Sequence, residues 1–243
     1  MNLIIDVGNT NVKLAVFSAN RLIRKRTTVH KNLRSTALEL LKKHASIDRV
    51  ILASVGPIKK NQFNYLPKDI SCTVLDSKTK LPFKNLYRSP KTLGVDRLAL
   101  VSASVKHFPT KNALVIDAGT CVTYDFINAK NEYLGGAISP GIRLRYRSLN
   151  NLTANLPLLD TKVPRNVIGK STSASIHSGV INGILKEIDG LIDEYQKKYK
   201  DLTVILTGGD AKLLSKRLKN SIFANSNFLL EGLNYILEFN RKT

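Results

Sequence analysis

Cysteine is scarce in this chain: Cys72 and Cys121 are the only two in 243 residues, and they form neither a CxxC pair nor a spaced framework. That excludes a disulfide scaffold, and no disulfide is expected in a reducing compartment. The 4 histidines, His30, His44, His107 and His177, are scattered, without the clustering that zinc sites need, so each reads as a surface or packing residue. No apolar run approaches the roughly 20 residues of a membrane span. No basic segment followed by an apolar core opens the chain, so no signal peptide is expected and the cytoplasm is the expected compartment. Acidic residues are also few, 18 against 38 Lys and Arg, for a net charge of +20.

Such a charge attracts polyanions. It leaves a nucleic-acid binder or an enzyme for phosphorylated ligands. The basic residues are spread along the chain, as in Arg21–Arg26, Lys42-Lys43, Lys59-Lys60, Lys197–Lys200 and Lys212–Lys219. There is no basic tail and no aromatic–basic interleaving, so nucleic acid is not the expected main partner. With 43% hydrophobic and 23% charged residues, the composition is that of an ordinary globular protein.

Periodicity predicts strands over 2–8, 12–17 and 21–29, then a helix over 34–45 with Ala37, Leu38, Leu41 and Ala45 on one face. The β-branched run "RVILASV" (49–55) predicts a buried strand. A helix over 58–65 and a short strand over 72–75 follow. The segment 76–94 has prolines and no period, which suits a connection or a functional loop. A helix is expected over 95–107. Strand, turn and strand follow over 113–127, then a strand through "YLGGAISPG" and a helix from 141. A long helix is expected over 172–199, then a buried strand in "TVILTGGDA" and helices over 210–218 and 229–239.

"LIIDVGNTNVKLAVF" (3–17) and "ALVIDAGTCVTYDFI" (113–127) match once one insertion is allowed. Asp6 pairs with Asp117, 111 residues later, Gly8 with Gly119 and Thr10 with Thr120. A repeat at that period predicts two similar lobes, 1–108 and 109–243, and a cleft between lobes is where small ligands bind.

The Asp-x-Gly-x-Thr turn can be a plain hairpin, since Asp, Gly and Asn are the usual turn residues. It can also serve phosphate. Gly8 lets the backbone approach a ligand, and the N–H groups of Gly8, Asn9 and Thr10 can form an anion nest. The Thr10 hydroxyl and the Asn9 amide add donors, and Lys13 can act as a point charge. Asp6 repels phosphate directly but can hold Mg²⁺ through water. Two such copies favour the phosphate reading.

The paired turns resemble the phosphate-binding elements of the acetate kinase, sugar kinase and actin superfamily, and "ILTGGDA" (205–211) resembles its adenosine element. "GVDRLALVSA" (94–103), "VIDAGTCVTYDF" (115–126), "GGAISPG" (135–141) and "GKSTSASIHSGVINGI" (169–184) then follow in order. With the opening motif they make the chain resemble type III pantothenate kinases over nearly its whole length. The resemblance implies an α/β fold of two ribonuclease-H-like lobes, with mixed sheets flanked by helices and an ATP cleft between them. It implies a homodimer that phosphorylates pantothenate with ATP and Mg²⁺, activated by K⁺ or NH₄⁺.

By motif position, the resemblance assigns Asp6, Val7, Gly8, Asn9, Thr10, Asn11, Val12, Lys13 and Thr120 to ATP and its phosphates. It assigns Asp96 as the base for the pantothenate hydroxyl, and Tyr87, Gly94, Val95, Asp96, Arg97 and Thr172 to pantothenate. Asp117 takes the position of a monovalent cation ligand. Each assignment has a plain alternative: Asp96 and Thr172 as helix caps, Arg97 as a surface arginine, Tyr87 as a packing residue and Asp117 as a turn residue. Ser171, where the family often has Asn, and Cys121, where a small residue is expected, depart from the pattern. The alternative function is a non-catalytic transcriptional regulator on the same fold. The presence of Asp6, Asp96 and Asp117 argues against a dead site.

Overall fold

The computed structural model describes residues 1–54, 56 and 63–241. The helix expected over 58–65 falls mostly outside the described residues, and 63–65 form a turn. The chain divides into two units. The first is Met1–Pro109, Asn131–Tyr133 and Asn227–Thr243; the second is Thr110–Lys130 and Leu134–Ser226. The C-terminal segment thus groups with the first unit, where a division at 108/109 puts it in the second.

In the first unit, β1 (Asn2–Val7), β2 (Val12–Ser18), β3 (Arg21–Thr28), β4 (Arg49–Ser54) and β5 (Ser71–Val74) form a sheet in the order β3-β2-β1-β4-β5. β2 runs antiparallel to β1, and β4 runs parallel to it. The two-residue period of a strand sends alternate side chains to opposite faces. Leu3, Ile5 and Val7 pack with Val12, Leu14 and Val16 against α1 (Leu33–Lys43), which contributes Leu33, Ala37 and Leu40. Asn2, Ile4 and Asp6 take the other face. There the Asn2 amide donates to Asn234 Oδ1 at 2.8 Å, on the last helix of the chain.

Two helices serve that second face, α2 (Val95–His107) and the C-terminal α6 (Phe228–Phe239), after the three that the second unit contributes. Gly232 of α6 sits directly on the Ala99 carbonyl of α2, where any side chain would collide. This packing is the physical reason that Asn227–Thr243 belongs with the first unit. The loop before α2 holds a two-residue strand, β6 (Lys84–Asn85), which pairs in parallel with Glu132 and Tyr133.

The second unit repeats the plan. β7 (Ala113–Ala118), β8 (Cys121–Ile127), β9 (Glu132–Pro140), β10 (Thr203–Thr207) and β11 (Phe223–Ala224) form, with β6 at its edge, a six-stranded sheet in the order β6-β9-β8-β7-β10-β11. β8 is antiparallel to β7 and β10 is parallel to it, as β2 and β4 are to β1. The sequence repeat is therefore a topological repeat. Its core joins Leu114, Ile116, Val122 and Tyr124 to α3 (Ile142–Asn151), α4 (Thr172–Lys198) and α5 (Ala211–Ser215). On α4, Ile176, Val180, Ile184, Ile188 and Ile192 form the buried stripe. α5 is shorter than the helix expected over 210–218. No described helix is long and apolar enough to cross a membrane.

Candidate active site

β1 ends at Val7, and the chain turns through Gly8–Asn11 into β2. The turn is closed by the Gly8 N–H donating to the Asn11 carbonyl at 3.1 Å. In this structure the Gly8 N–H is used to close the turn. Asn9, Thr10 and Asn11 are exposed beside it. Gly8 itself is tight, since a Cβ there would lie 3.1 Å from the Asn11 carbonyl. Val7 and Val12 flank the turn as a buried cross-strand pair.

Asp6 lies in register with Lys13. The Lys13 ammonium is 3.8 Å from Asp6 Oδ2. Asp6 is only 6% exposed. Burial pushes its carboxyl up from 3.8 to about 6; Lys13 pulls it down, and the nearby Asp96 carboxylate pushes it up again. Two acids sharing one site repel, and desolvation penalises the charged form. The structure therefore brings Asp6, Lys13 and Asp96 together, although Asp96 is 90 residues further along the chain.

Asp96 is in the first turn of α2, where an acid is favoured by the exposed amides and the helix dipole. It is not the N-cap. That position is Gly94, which makes no side-chain cap bond. Asp96 Oδ1 accepts instead from the N–H of Arg97 at 2.8 Å. A side chain at Gly94 would occupy the space of that carboxylate, so the glycine fixes where Asp96 can sit. Val95, between them, is half-buried.

Arg97 is not a surface arginine. It is 4% exposed, and its guanidinium lies over the Tyr87 ring, 5.4 Å from the centroid. Tyr87 in turn stacks on Tyr133 at 6.0 Å and 20°, and Phe83 meets Tyr133 edge-on. Tyr87 thus packs against both Arg97 and Tyr133, and the ring gives Arg97 a cation–π seat. Tyr133 was not among the expected site residues. No motif marks it, because its role depends on the parallel pairing of Asn85 with Tyr133.

In the second unit, Asp117 is the last residue but one of β7, and Thr120 is exposed in the turn after the strand. Two glycines press on this turn. Gly208, at φ +96°, follows β10, and a Cβ there would strike the Ala118 carbonyl and the Asp117 carboxylate. Gly141 donates its N–H to the Thr120 carbonyl at 3.1 Å, and a Cβ on it would overlap the carbonyls of Gly119 and Thr120. The motifs "TGGDA" and "GGAISPG" carry these glycines. Their contact with the turn is visible only in three dimensions.

Thr172 is the first residue of α4 and is exposed. It is not the cap: Ser171 is, with its hydroxyl accepting from the Ala174 N–H at 3.2 Å. Ser and Asn are both strong N-caps, which explains why Ser171 is tolerated where Asn is common. Among the described residues, no group of three His, Cys, Asp or Glu is arranged to hold a metal. His107 pairs with Glu231 at 2.8 Å, and His177 meets the Tyr146 hydroxyl at 2.8 Å.

A family model described as type III pantothenate kinase matches residues 2–194. A type III pantothenate kinase of Christiangramia forsetii is 54% identical over 241 residues, covering 99% of each chain. Among solved structures, a protein named for the Baf family of transcriptional activators from Campylobacter jejuni superposes with a TM-score of 0.67 at 21% identity, covering 99% of this chain and 100% of that one. A glucokinase from an Antarctic psychrotroph superposes with a TM-score of 0.55 at 13% identity, covering 98% of each. These two likenesses show the fold, a mixed α/β architecture of the sugar kinase and actin type. The ordered motifs, the doubled topology and the match over most of the chain agree: the chain belongs to the type III pantothenate kinase family.

Proposed function

We propose that the protein transfers the γ-phosphoryl group of ATP to the primary hydroxyl of pantothenate, giving ADP and 4′-phosphopantothenate, the first step of coenzyme A biosynthesis. The observation that carries this reading is the convergence of Asp6, Lys13 and Asp96 in one unit of a chain of this family.

Phosphoryl transfer needs positioned phosphates and an oriented nucleophile more than covalent chemistry. Asn9, Thr10 and Lys13 supply donors and a positive charge for the phosphates. Asp96 accepts the hydroxyl proton of pantothenate as the new P–O bond forms. Its place in the first turn of α2 holds the carboxylate ready. Arg97, seated on Tyr87, forks onto the pantothenate carboxylate, and the exposed Thr172 hydroxyl contacts the same substrate. Thr120 is assigned to the phosphates of ATP.

Asp6 would hold Mg²⁺ through water, with the ion carried mainly on the substrate phosphates. When bound, Mg²⁺ offsets the phosphate charge. Asp117, with the Ala118 carbonyl beside it under Gly208, offers the hard oxygen donors of a K⁺ or NH₄⁺ site. A homodimer working in the cytoplasm completes the reading.

The test is ADP release by the purified protein with ATP and Mg²⁺. It should depend on pantothenate and rise on adding K⁺ or NH₄⁺. ADP formation that ignores pantothenate, or none under any of these conditions, rejects the reading.

A further inference from the structure

Behind the Thr120 turn, the second unit carries a polar network that the reaction itself does not use. Glu187, in the middle of α4, is its hub. One carboxylate oxygen accepts from the Tyr124 hydroxyl of β8 at 2.8 Å and from the Ser139 hydroxyl of β9. The other accepts from the Arg145 guanidinium of α3. Burial pushes the Glu187 carboxyl up, but the hydrogen bonds from Ser139, Arg145 and Tyr124 outweigh it and hold it below the usual carboxylate range. It is charged and fully engaged at neutral pH.

The network grips one short strap. Ser139 is bonded to Glu187. Arg145 Nε donates to the Pro140 carbonyl at 2.8 Å, and the backbone N–H of residue 145 ties the Gly141 carbonyl into the first turn of α3 at 3.0 Å. The other side of Ser139-Pro140-Gly141 rests on the phosphate turn: Gly141 N–H donates to the Thr120 carbonyl, and Gly141 has no room for a Cβ against Gly119 and Thr120. With no side chain at Gly141 to act as a spacer, the strap's position sets the position of the turn.

We infer that Glu187 and Arg145 are positioning residues for phosphoryl transfer, acting through the Ser139–Gly141 strap to fix the Gly119–Thr120 turn against the nucleotide phosphates. Neither touches substrate. A half-buried carboxylate with three donors has little freedom, and a network of this kind rigidifies what it holds. Positioning matters because a displacement of about 1 Å in a phosphate-binding group costs on the order of 100-fold in rate.

The inference rests on the reading that Thr120 meets the phosphate, so the experiment separates the two. Glu187→Ala and Arg145→Lys are made alone and with Thr120→Ala. Arg145→Lys keeps the charge but cannot bond Glu187 and the Pro140 carbonyl at once, and it carries the test should Glu187→Ala fail to melt cooperatively. Each single variant should lower kcat by about 10- to 100-fold and weaken binding of a non-hydrolysable ATP analogue with Mg²⁺. KM for pantothenate should stay within about twofold. Added to Thr120→Ala, either change should cost less than about threefold more, because residues acting as one unit are not additive.

A lowered melting temperature with unchanged kcat and nucleotide affinity would mean that the network is only structural and overturns the inference. So would full additivity with Thr120→Ala. If the wild-type protein makes no phosphopantothenate, the functional reading fails by itself. The same double-mutant cycle in analogue affinity then decides the positioning role: coupling between 187 and 120 upholds it, and additivity ends it.

Discussion

Lys13 faces Asp6 across the β1–β2 ladder, its ammonium 3.8 Å from a carboxylate that the fold has buried to 6% exposure. The pair is a strained compromise. A buried acid resists ionising, and the partner that could neutralise it is itself half-exposed and available to phosphate. Asp96 adds a second negative charge nearby. Asp6 therefore sits between an attractive Lys13 and a repulsive Asp96.

The first prediction is a pH effect. The folded pKa of Asp6 is raised from 3.8 to about 6. Between those values the folded state binds more protons than the unfolded chain, so this residue makes stability fall as pH rises through that window. The loss is about 3 kcal/mol by linkage. Asp6→Asn should therefore melt at higher temperature than wild type at pH 7 to 8, with the advantage shrinking toward pH 4. Thermal melts of both proteins across that range check it; equal offsets at all pH values would count against it. The same variant should lose Mg²⁺-dependent turnover, and wild-type turnover should fall as pH drops below about 6.

Asp96→Asn should lower kcat by about 10²- to 10⁴-fold, the usual range for a general base, while the protein still folds and binds nucleotide. Wild-type turnover in that variant would remove Asp96 from the role of base.

Tyr87→Ala removes the platform under Arg97, and KM for pantothenate should rise by roughly 3- to 30-fold, matching a cation–π seat of about 0.5–2 kcal/mol. Tyr87→Phe keeps the ring and should behave almost as wild type. A loss in both variants would move the role from the ring to the hydroxyl.

Ser171 and Thr172 should separate cleanly. Ser171→Ala loses the cap bond to Ala174 and should cost about 1 kcal/mol of stability, while Ser171→Asn should keep it. Thr172→Ala should leave the melting temperature near wild type and raise KM for pantothenate.

Gly208→Ala should destabilise by about 2–4 kcal/mol. Its φ of +96° disfavours any side chain, and the new methyl would meet the Ala118 carbonyl and Asp117. Chemical denaturation measures this, and a change below about 0.5 kcal/mol would contradict the packing described here.

The sequence by itself determined the strands, the long helices, the duplication and the family. The apolar runs over 3–7 and 12–17, the 3.6-residue stripe of α4 and the repeat of Asp-x-Gly are local signals, and local geometry follows from them. The structure moves the cap of α4 from Thr172, the alternative weighed in the sequence, to Ser171. What the tertiary structure alone decided is which distant groups share a space. Asp96 reaches Asp6 because α2 packs on α6 and on β4, the strand paired with β1. Arg97 is buried rather than exposed because Tyr87 is held by Tyr133, through a two-residue strand too short to leave a pattern. The C-terminal helix joins the first unit because Gly232 lets it close onto Ala99. The Gly8 amide is spent on its own turn. Periodicity records which face of an element is apolar, but not which element will cover it, and burial, ionisation and reach all depend on that second fact.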